Sequence, residues 1–400
     1  MSGAPIVRVA AKGEGATADG RYVALSAPGD VLEADGTLTW GPDHVEPPCR
    51  HFPACGGCQL QHLSEAALLA YVGDRVIGAA RGQNLDPGTP EPTHLSPPRT
   101  RRRATLHAQA IGRRVVLGFR EQGSHKIVDL RECHVIAPEL FALVAPLRGL
   151  LESWGDRKLA VDIELTLADQ GVTVGLFGLT ADNLARTEAL LNFAREHRLA
   201  RLTLDSGYGP ETTWEPDPAT ITLGGTAVAL PPGAFLQATA DGEAALVTAA
   251  REWLAEAPTV ADLFAGLGTF AFALAGPQTK VLAVEAARDT HLACQAAARM
   301  QGRPVHALHR DLFRNPLRPE ELNRFGAVLL DPPRAGAREQ VEQIAASTVA
   351  RVVYISCNPA SWARDAATLV EAGYRLAGLK AVGQFRWSTH VELASLFVRD

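Results

Sequence analysis

Between residue 259 and the end of the chain, short apolar runs alternate with segments of helical periodicity. Strands are expected near 259–264, 280–284, 304–309, 326–330 and 351–356, and helices over 268–275, 288–300, 337–348 and 360–372. The runs Ala327-Val328-Leu329-Leu330 and Val352-Val353-Tyr354-Ile355 have no polar alternation, as befits strands buried on both faces. This alternation predicts a doubly wound parallel sheet. Two further strand-like runs, 374–382 and 391–398, add a hairpin-like pair.

Upstream the pattern changes. From about 99 to 232, strands are expected at 103–110, 114–119, 158–167, 171–177, 202–204 and 220–228, with helical segments near 138–153 and 181–197. Strands mixed with helices in this way predict an α+β domain. Residues 64–82 read as a helix, and 83–98 as a Pro-rich connection. Residues 1–48 are Gly-rich with short β-type runs at 6–9 and 21–25, enough for a small β unit only. Three domains follow: a short β segment over 1–48, a central α+β domain over 49–235, and an α/β domain over 236–400, with 64–94 free to pack on the last.

Composition narrows the class. Four hundred residues, 46% hydrophobic and 21% charged, suit a globular chain with a sizeable core. No apolar run reaches the length of a membrane span, and no basic-then-apolar signal opens the chain, so a cytoplasmic monomer is expected. The net charge of −5 hides a local excess. Between Arg99 and Arg131 stand nine Lys/Arg against two acids, with Arg101, Arg102 and Arg103 in a row. That segment is expected to contact phosphates.

Candidate chemistry sits at the strand ends. The run 352–355 ends at Ser356-Cys357-Asn358-Pro359, and the run 327–330 ends at Asp331-Pro332-Pro333-Arg334. Open α/β sheets place ligands and chemistry at such tips. The first strand runs into Asp262-Leu263-Phe264-Ala265-Gly266-Leu267-Gly268-Thr269-Phe270, where two glycines let the backbone approach a ligand. The next strand ends at Glu285, a carboxylate able to accept from both hydroxyls of a ribose. Ala271 stands where a dinucleotide fingerprint has its third glycine. The set is closer to S-adenosylmethionine-dependent methyltransferases than to NAD enzymes. Cys49, Cys55 and Cys58, with the distant Cys133, supply four thiols, enough for one tetrahedral zinc or one four-iron cluster; spacing does not choose between them. The Gly56-Gly57 pair lets that loop bend around an occupant. Cys294, among helical alanines, reads as an inert core residue.

With these motifs placed, the chain from about residue 47 to 400 resembles the RNA uracil-C5 methyltransferases, which make 5-methyluridine in tRNA and 23S ribosomal RNA. The resemblance rests on DLFAGLGTF (262–270), LLDPPRAG (329–336), YISCNP (354–359), ARD (363–365) and THVE (389–392). It implies Cys357 as nucleophile and Glu392 as base. It implies Gln237, Phe264, Thr269, Glu285, Asp331 and, by a weaker match, Asp311 on the S-adenosylmethionine. CRHFPACGGCQLQHL and ECHVI resemble the family's iron–sulfur branch, which implies a [4Fe-4S] cluster on Cys49, Cys55, Cys58 and Cys133 and 23S rRNA as substrate. The implied architecture is a Rossmann-like methyltransferase domain, an α+β iron–sulfur domain that binds RNA, and a shortened TRAM-like β segment, since Cys49 arrives too early for a whole TRAM barrel. The Phe385-Arg386 pair departs from the family's usual Phe-Pro, though the spacing to Glu392 is kept.

Four rivals remain in view. A tRNA 5-methyluridine enzyme would share every motif above. A 5-methylcytosine enzyme would carry a Pro-Cys pair at the tip where Asp331-Pro332-Pro333 stands, and an N6-adenine enzyme an aromatic where Arg334 stands. A non-catalytic RNA-binding protein would have no need of Cys357 and Glu392.

Overall fold

The computed structural model describes residues 3–399. Its largest unit is an eight-stranded sheet. From one edge the strands run Val305–His309, Lys280–Glu285, Thr259–Leu263, Ala327–Leu330, Arg351–Ser356, Glu392–Val398, Arg375–Gly383 and His94–Leu95. The first five are parallel. Glu392–Val398 inserts antiparallel between Arg351–Ser356 and Arg375–Gly383, so the last two strands enter the sheet in reverse order along the chain. That insertion brings Glu392 to the same end of the sheet as the Arg351–Ser356 tip, because Ser356 pairs with Leu393.

Both faces of the sheet are covered. On one, Glu65–Gly82 and Pro359–Glu371 pack together, burying Leu68, Tyr71, Val72 and Val76 with Trp362, Ala366 and Leu369. On the other, Ala240–Leu254 and Arg288–Met300 bury Leu246, Ala250, Cys294 and Ala297. The helix Glu65–Gly82 therefore belongs to the sheet's core although it precedes the whole central domain in sequence. Its first turn is capped by Ser64, whose hydroxyl accepts from the Ala67 amide.

The central domain is a six-stranded mixed sheet over Arg103–Trp214, backed by Val144–Ser153 and Leu184–Glu196 around a separate core. Ahead of it, five short strands between Ala4 and Thr39 form their own antiparallel sheet.

Four details differ from the sequence pattern. The single strand expected over 220–228 is a hairpin, Thr220–Leu223 and Thr226–Ala229, broken at Gly224-Gly225, both with positive φ. The helix Ala240–Leu254, the strand Glu211–Trp214 and the two-residue strand His94–Leu95 lie outside the alternation that predicts the others. The last of these turns the Pro-rich connection into an edge of the C-terminal sheet.

Candidate active site

A cleft of about 1220 Å³, including its open mouth, lies at the carboxyl ends of the parallel strands. Gln237, Phe264, Thr269, Glu285, Asp311, Asp331, Cys357 and Glu392 all line it. Residues from seven segments separated by up to 155 positions are thus brought into one cavity.

The glycine turn builds one wall. Thr259–Leu263 ends in Phe264 at φ +64, a strained value for a side-chain-bearing residue. Gly268 sits at φ +91 and opens the helix Thr269–Leu274. A Cβ at Gly268 would lie 3.0 Å from the Cys294 sulfur and 2.8 Å from the Phe272 ring, so the turn closes only with glycine there. Glu285 reaches across from the next strand. Its two carboxylate oxygens accept from the Gly266 amide at 2.8 Å and the Ala287 amide at 2.6 Å, which fixes its direction. Phe264 and Phe313 face each other at a tilt with ring centres 5.3 Å apart. Asp311 holds the loop that carries Phe313, accepting from the Phe313 amide at 3.0 Å and the Arg314 amide at 3.3 Å.

The opposite wall carries the reactive groups. Cys357 is half-buried, and its thiol is pushed up to about 11 by burial, with Glu392 and Asp331 adding to the rise and Arg334 opposing it. Glu392 is 4% exposed; burial pushes it up to about 7, against a hydrogen bond from Gln384 and the Arg334 charge. Asp331 is held well above the usual carboxylate range by burial, then by Glu392 and Asp262. Buried carboxyls raised toward neutrality mark functional sites. Asn358 caps the helix Pro359–Glu371, and its side-chain amide donates to the Arg334 carbonyl, tying the two strand tips together. Arg334 in turn bonds His390 at 2.8 Å.

Several residues here have no signal in the motifs. Phe235, Arg310 and Phe313 line the cleft beside the motif residue Arg334. Gln384 donates to the Gln237 side-chain oxygen at 2.8 Å from behind it. Asp262, one of the motif's own residues, is fully buried, and its carboxyl has no side-chain partner among the described residues; burial pushes it up to about 8.

The three cysteines of the N-terminal loop and Cys133 line a second, smaller cavity with Phe52, Phe119, Leu130 and Val135. Burial pushes Cys58 up to about 12 and raises Cys49 and Cys55. No group of three or more His, Cys, Asp or Glu among the described residues is set as for a single metal ion. The loop is fastened by the Gly56 amide to the Arg120 carbonyl, by the Arg131 amide to His51, and by the amides of Gln59 and Leu60 to the Trp387 carbonyl. The last pair links it to the segment leading into Glu392.

The expected row of phosphate-binding arginines is corrected. Arg102 is 8% exposed and spends its guanidinium on Glu243 at 2.5 Å and the Gln237 carbonyl at 3.0 Å. Arg101 is drawn inward, bonded to the Arg103 carbonyl and stacked over Phe385. Arg103 lies over Phe235 at the cleft. These three hold the central domain against the cleft; Arg113 and Arg114, on an exposed hairpin turn, are free of such partners.

Comparisons with known proteins bear on the family and the fold. Residues 307–400 match the family model for tRNA (uracil-5-)-methyltransferase. An uncharacterized RNA methyltransferase of Zymomonas mobilis is 46% identical over 98% of this chain and 99% of its own length. The 23S rRNA (uracil(1939)-C(5))-methyltransferase of Pectobacterium atrosepticum is 33% identical over 91% of this chain and 82% of its own. The crystal structure of a Pyrococcus abyssi tRNA (uracil-54, C5)-methyltransferase with S-adenosyl-L-homocysteine superposes with a TM-score of 0.77 over 99% of both chains at 21% identity, which shows a common fold.

Proposed function

The chain belongs to the S-adenosylmethionine-dependent RNA uracil-C5 methyltransferase family, and on that premise we propose that it methylates C5 of a uridine in 23S rRNA through a covalent adduct on Cys357. The observation that carries this is the meeting of Cys357 and Glu392 in one cleft with the glycine turn and Glu285.

C5 of uracil is a weak nucleophile. Attack of the Cys357 sulfur on C6 moves an electron pair to C5 and makes it an enolate carbon. The bound cofactor supplies an electrophilic methyl group. Glu392 then takes the C5 proton, the electron pair of that C–H bond re-forms the C5=C6 double bond, and the C6–S bond breaks so that the thiolate leaves. A carboxyl near 7 suits that transfer at neutral pH. The target uridine must leave its stack to enter the cleft. Gln237, Phe264, Thr269, Glu285, Asp311 and Asp331 are assigned to the cofactor: Glu285 to the ribose, and Phe264 with Phe313 to the adenine.

The four-cysteine cavity fits a [4Fe-4S] cluster. Its walls are apolar, and thiols raised by burial need a cationic core to exist as thiolates. Such a cluster would pin the loop 49–58 to Cys133 and has no step in methyl transfer, which moves no net electrons. The 23S assignment rests on the Pectobacterium relative and on this cysteine set. The five-stranded N-terminal sheet stands where a TRAM-like unit is expected.

The test is to map 5-methyluridine in RNA from a strain lacking the gene and to assay purified protein on unmodified 23S rRNA and tRNA transcripts. Loss of one 23S methyl mark, restored in vitro, is expected. Methylation of tRNA alone would overturn the 23S assignment, and product at C5 of cytidine would overturn the base specificity.

A further inference from the structure

The connection from Arg375–Gly383 to Glu392–Val398 carries the base residue into the cleft, and its backbone turns at an unfavourable place. The Ser388 amide donates to the Phe385 carbonyl at 2.9 Å, which closes a four-residue turn. Trp387, third in that turn, has φ +62, whereas Arg386, second, is not among the residues of positive φ. That is the pattern of a type II turn, whose third position suits glycine and whose second suits proline. Here a tryptophan, 8% exposed, fills the glycine position. A bulky residue at positive φ persists only where its surroundings hold it there.

Two sets of contacts do so. On one side the Trp387 carbonyl accepts from the amides of Gln59 and Leu60 at 2.7 and 2.9 Å. On the other the Arg386 guanidinium lies over the Trp387 ring, 5.0 Å from its centre. Its two terminal nitrogens donate to the Ser96 carbonyl at 3.1 Å and to the Glu65 carboxylate at 2.7 Å. Ser96 is fully buried beside the edge strand, where its amide donates to the Gly383 carbonyl at 3.2 Å, and Glu65 opens the helix Glu65–Gly82. The guanidinium therefore spans from the sheet edge to a helix start. The Arg386 amide donates to no carbonyl among the described residues, so the side chain, not the backbone, fixes this position.

We propose that Arg386 is a positioning residue whose side chain clamps the turn at Trp387 and so sets where Glu392, five residues past it, enters the cleft. This rests on the assignment of Glu392 as base. The same segment carries His390, which bonds Arg334 on the cleft wall, so the turn's place bears on both. Without the clamp, Trp387 is free to leave positive φ, and residues 388–391 shift with it. Cys357 and the cofactor wall stand on other strand tips, so attack on C6 and methyl transfer are largely spared. Removal of the C5 proton is slowed, and the Cys357–RNA adduct outlives its normal time.

The test compares Arg386→Ala, Arg386→Lys and Arg386→Pro on the RNA transcript that wild-type protein methylates. First-turnover methyl transfer, release of free methylated RNA, adduct on denaturing gels and S-adenosylhomocysteine affinity are measured. Arg386→Ala should release product roughly tenfold more slowly than wild type, while first-turnover transfer falls by about twofold or less and adduct accumulates. Proline presets φ at the second turn position and costs no hydrogen bond there, so Arg386→Pro should restore release to within about threefold of wild type. Arg386→Lys reaches one partner in place of two and should fall between. Cofactor affinity should stay near wild type in all three. Arg386→Pro that releases as slowly as Arg386→Ala, or Arg386→Ala whose transfer and release fall together without adduct, would make Arg386 a packing residue and overturn the proposal. Should Arg386→Ala fail to fold, a folded Arg386→Pro decides alone: release near wild type supports the clamp, and slow release overturns it. Glu392→Gln run alongside tells the two readings apart, because free product from that variant overturns the base assignment itself.

Discussion

The strand-tip cleft and the four-cysteine cavity are both built from residues far apart in sequence, yet they are held in opposite ways. In the cleft the protein supplies its own partners. Glu285 is fixed by two amides, Asp331 by Gln237, and Gln237 by Gln384. In the cavity burial raises three of the four thiols, the Arg101 guanidinium that lines it is the charge set beside Cys58 and Cys133, and the flanking backbone is fastened. The cleft is preorganised for a visitor that comes and goes. On the cluster assignment proposed above, the cavity would hold an occupant that stays and completes the fold locally. The two meet at Trp387, whose carbonyl takes the amides of Gln59 and Leu60 just past Cys58.

The comparison breaks most sharply at Cys357. Cys357→Ala should lower methyl transfer by at least roughly a thousandfold, because nothing else in the cleft can add to C6. Cofactor affinity, read by calorimetry, should stay near wild type. Turnover within a hundredfold of wild type would end the covalent mechanism. Next comes Glu392→Gln. Methyl transfer survives, but the C5 proton stays, so a Cys357–RNA adduct should persist on denaturing gels; free methylated product would remove Glu392 from the base role.

At the other site, anaerobically purified protein should be brown with about four irons per chain. Cys55→Ser should lose the colour and lower the unfolding midpoint of the central domain. Because Gln59 and Leu60 hold Trp387, the same variant should also lower the methylation rate several-fold without changing cofactor affinity. One zinc per chain and no iron would refute the cluster. A smaller effect separates the arginines. Arg113→Ala with Arg114→Ala should flatten the salt dependence of RNA binding by about one to two units of slope if that hairpin turn meets phosphate. Arg102→Ala should instead lower stability, by roughly 2–4 kcal/mol, through the loss of its buried bond to Glu243.

What the sequence carries and what it does not divide along a physical line. Strand tips are legible because an apolar run that stops at Asp331 or Cys357 is a local pattern, and the glycine turn is legible because φ +91 at Gly268 admits little else. The family resting on those motifs is the one the relatives return. Arg102 misleads because its partner Glu243 lies 141 residues away, so its charge looks free. Gln384 is silent for the same reason: its partner Gln237 is 147 residues off, and a lone glutamine at a strand end reads as solvent-facing. The helix Ala240–Leu254 does have a local signal, Thr239 ahead of an Ala-rich run, with its hydroxyl accepting from Gly242 at 3.1 Å. An alternation read from apolar runs passes over it because alanine is weakly apolar.

The smallest predicted effect compares the two sites by pH. Asp262 and Glu392 are raised to about 8 and about 7, and Asp331 is raised further than its ordinary range, while their unfolded counterparts ionise near 4. Above pH 6.5 the unfolded chain has lost these protons and the folded chain still holds some, so stability falls as pH rises. Below that window the lowered histidines, His51, His62, His291 and His390, act with the opposite sign, because the folded chain resists their protonation. The raised thiols of the cysteine cavity begin to matter only above their ordinary pKa near 9. Between pH 6.5 and 8 the response therefore belongs to the cleft. Apo protein should lose roughly 1–3 kcal/mol of stability across that window, read as the denaturant midpoint of the C-terminal sheet. Glu392→Gln should reduce the loss, since the amide has no proton to hold. A midpoint that rises from pH 6.5 to 8, or a loss unchanged by Glu392→Gln, would mean that these carboxyls are not stored protonated in the folded cleft.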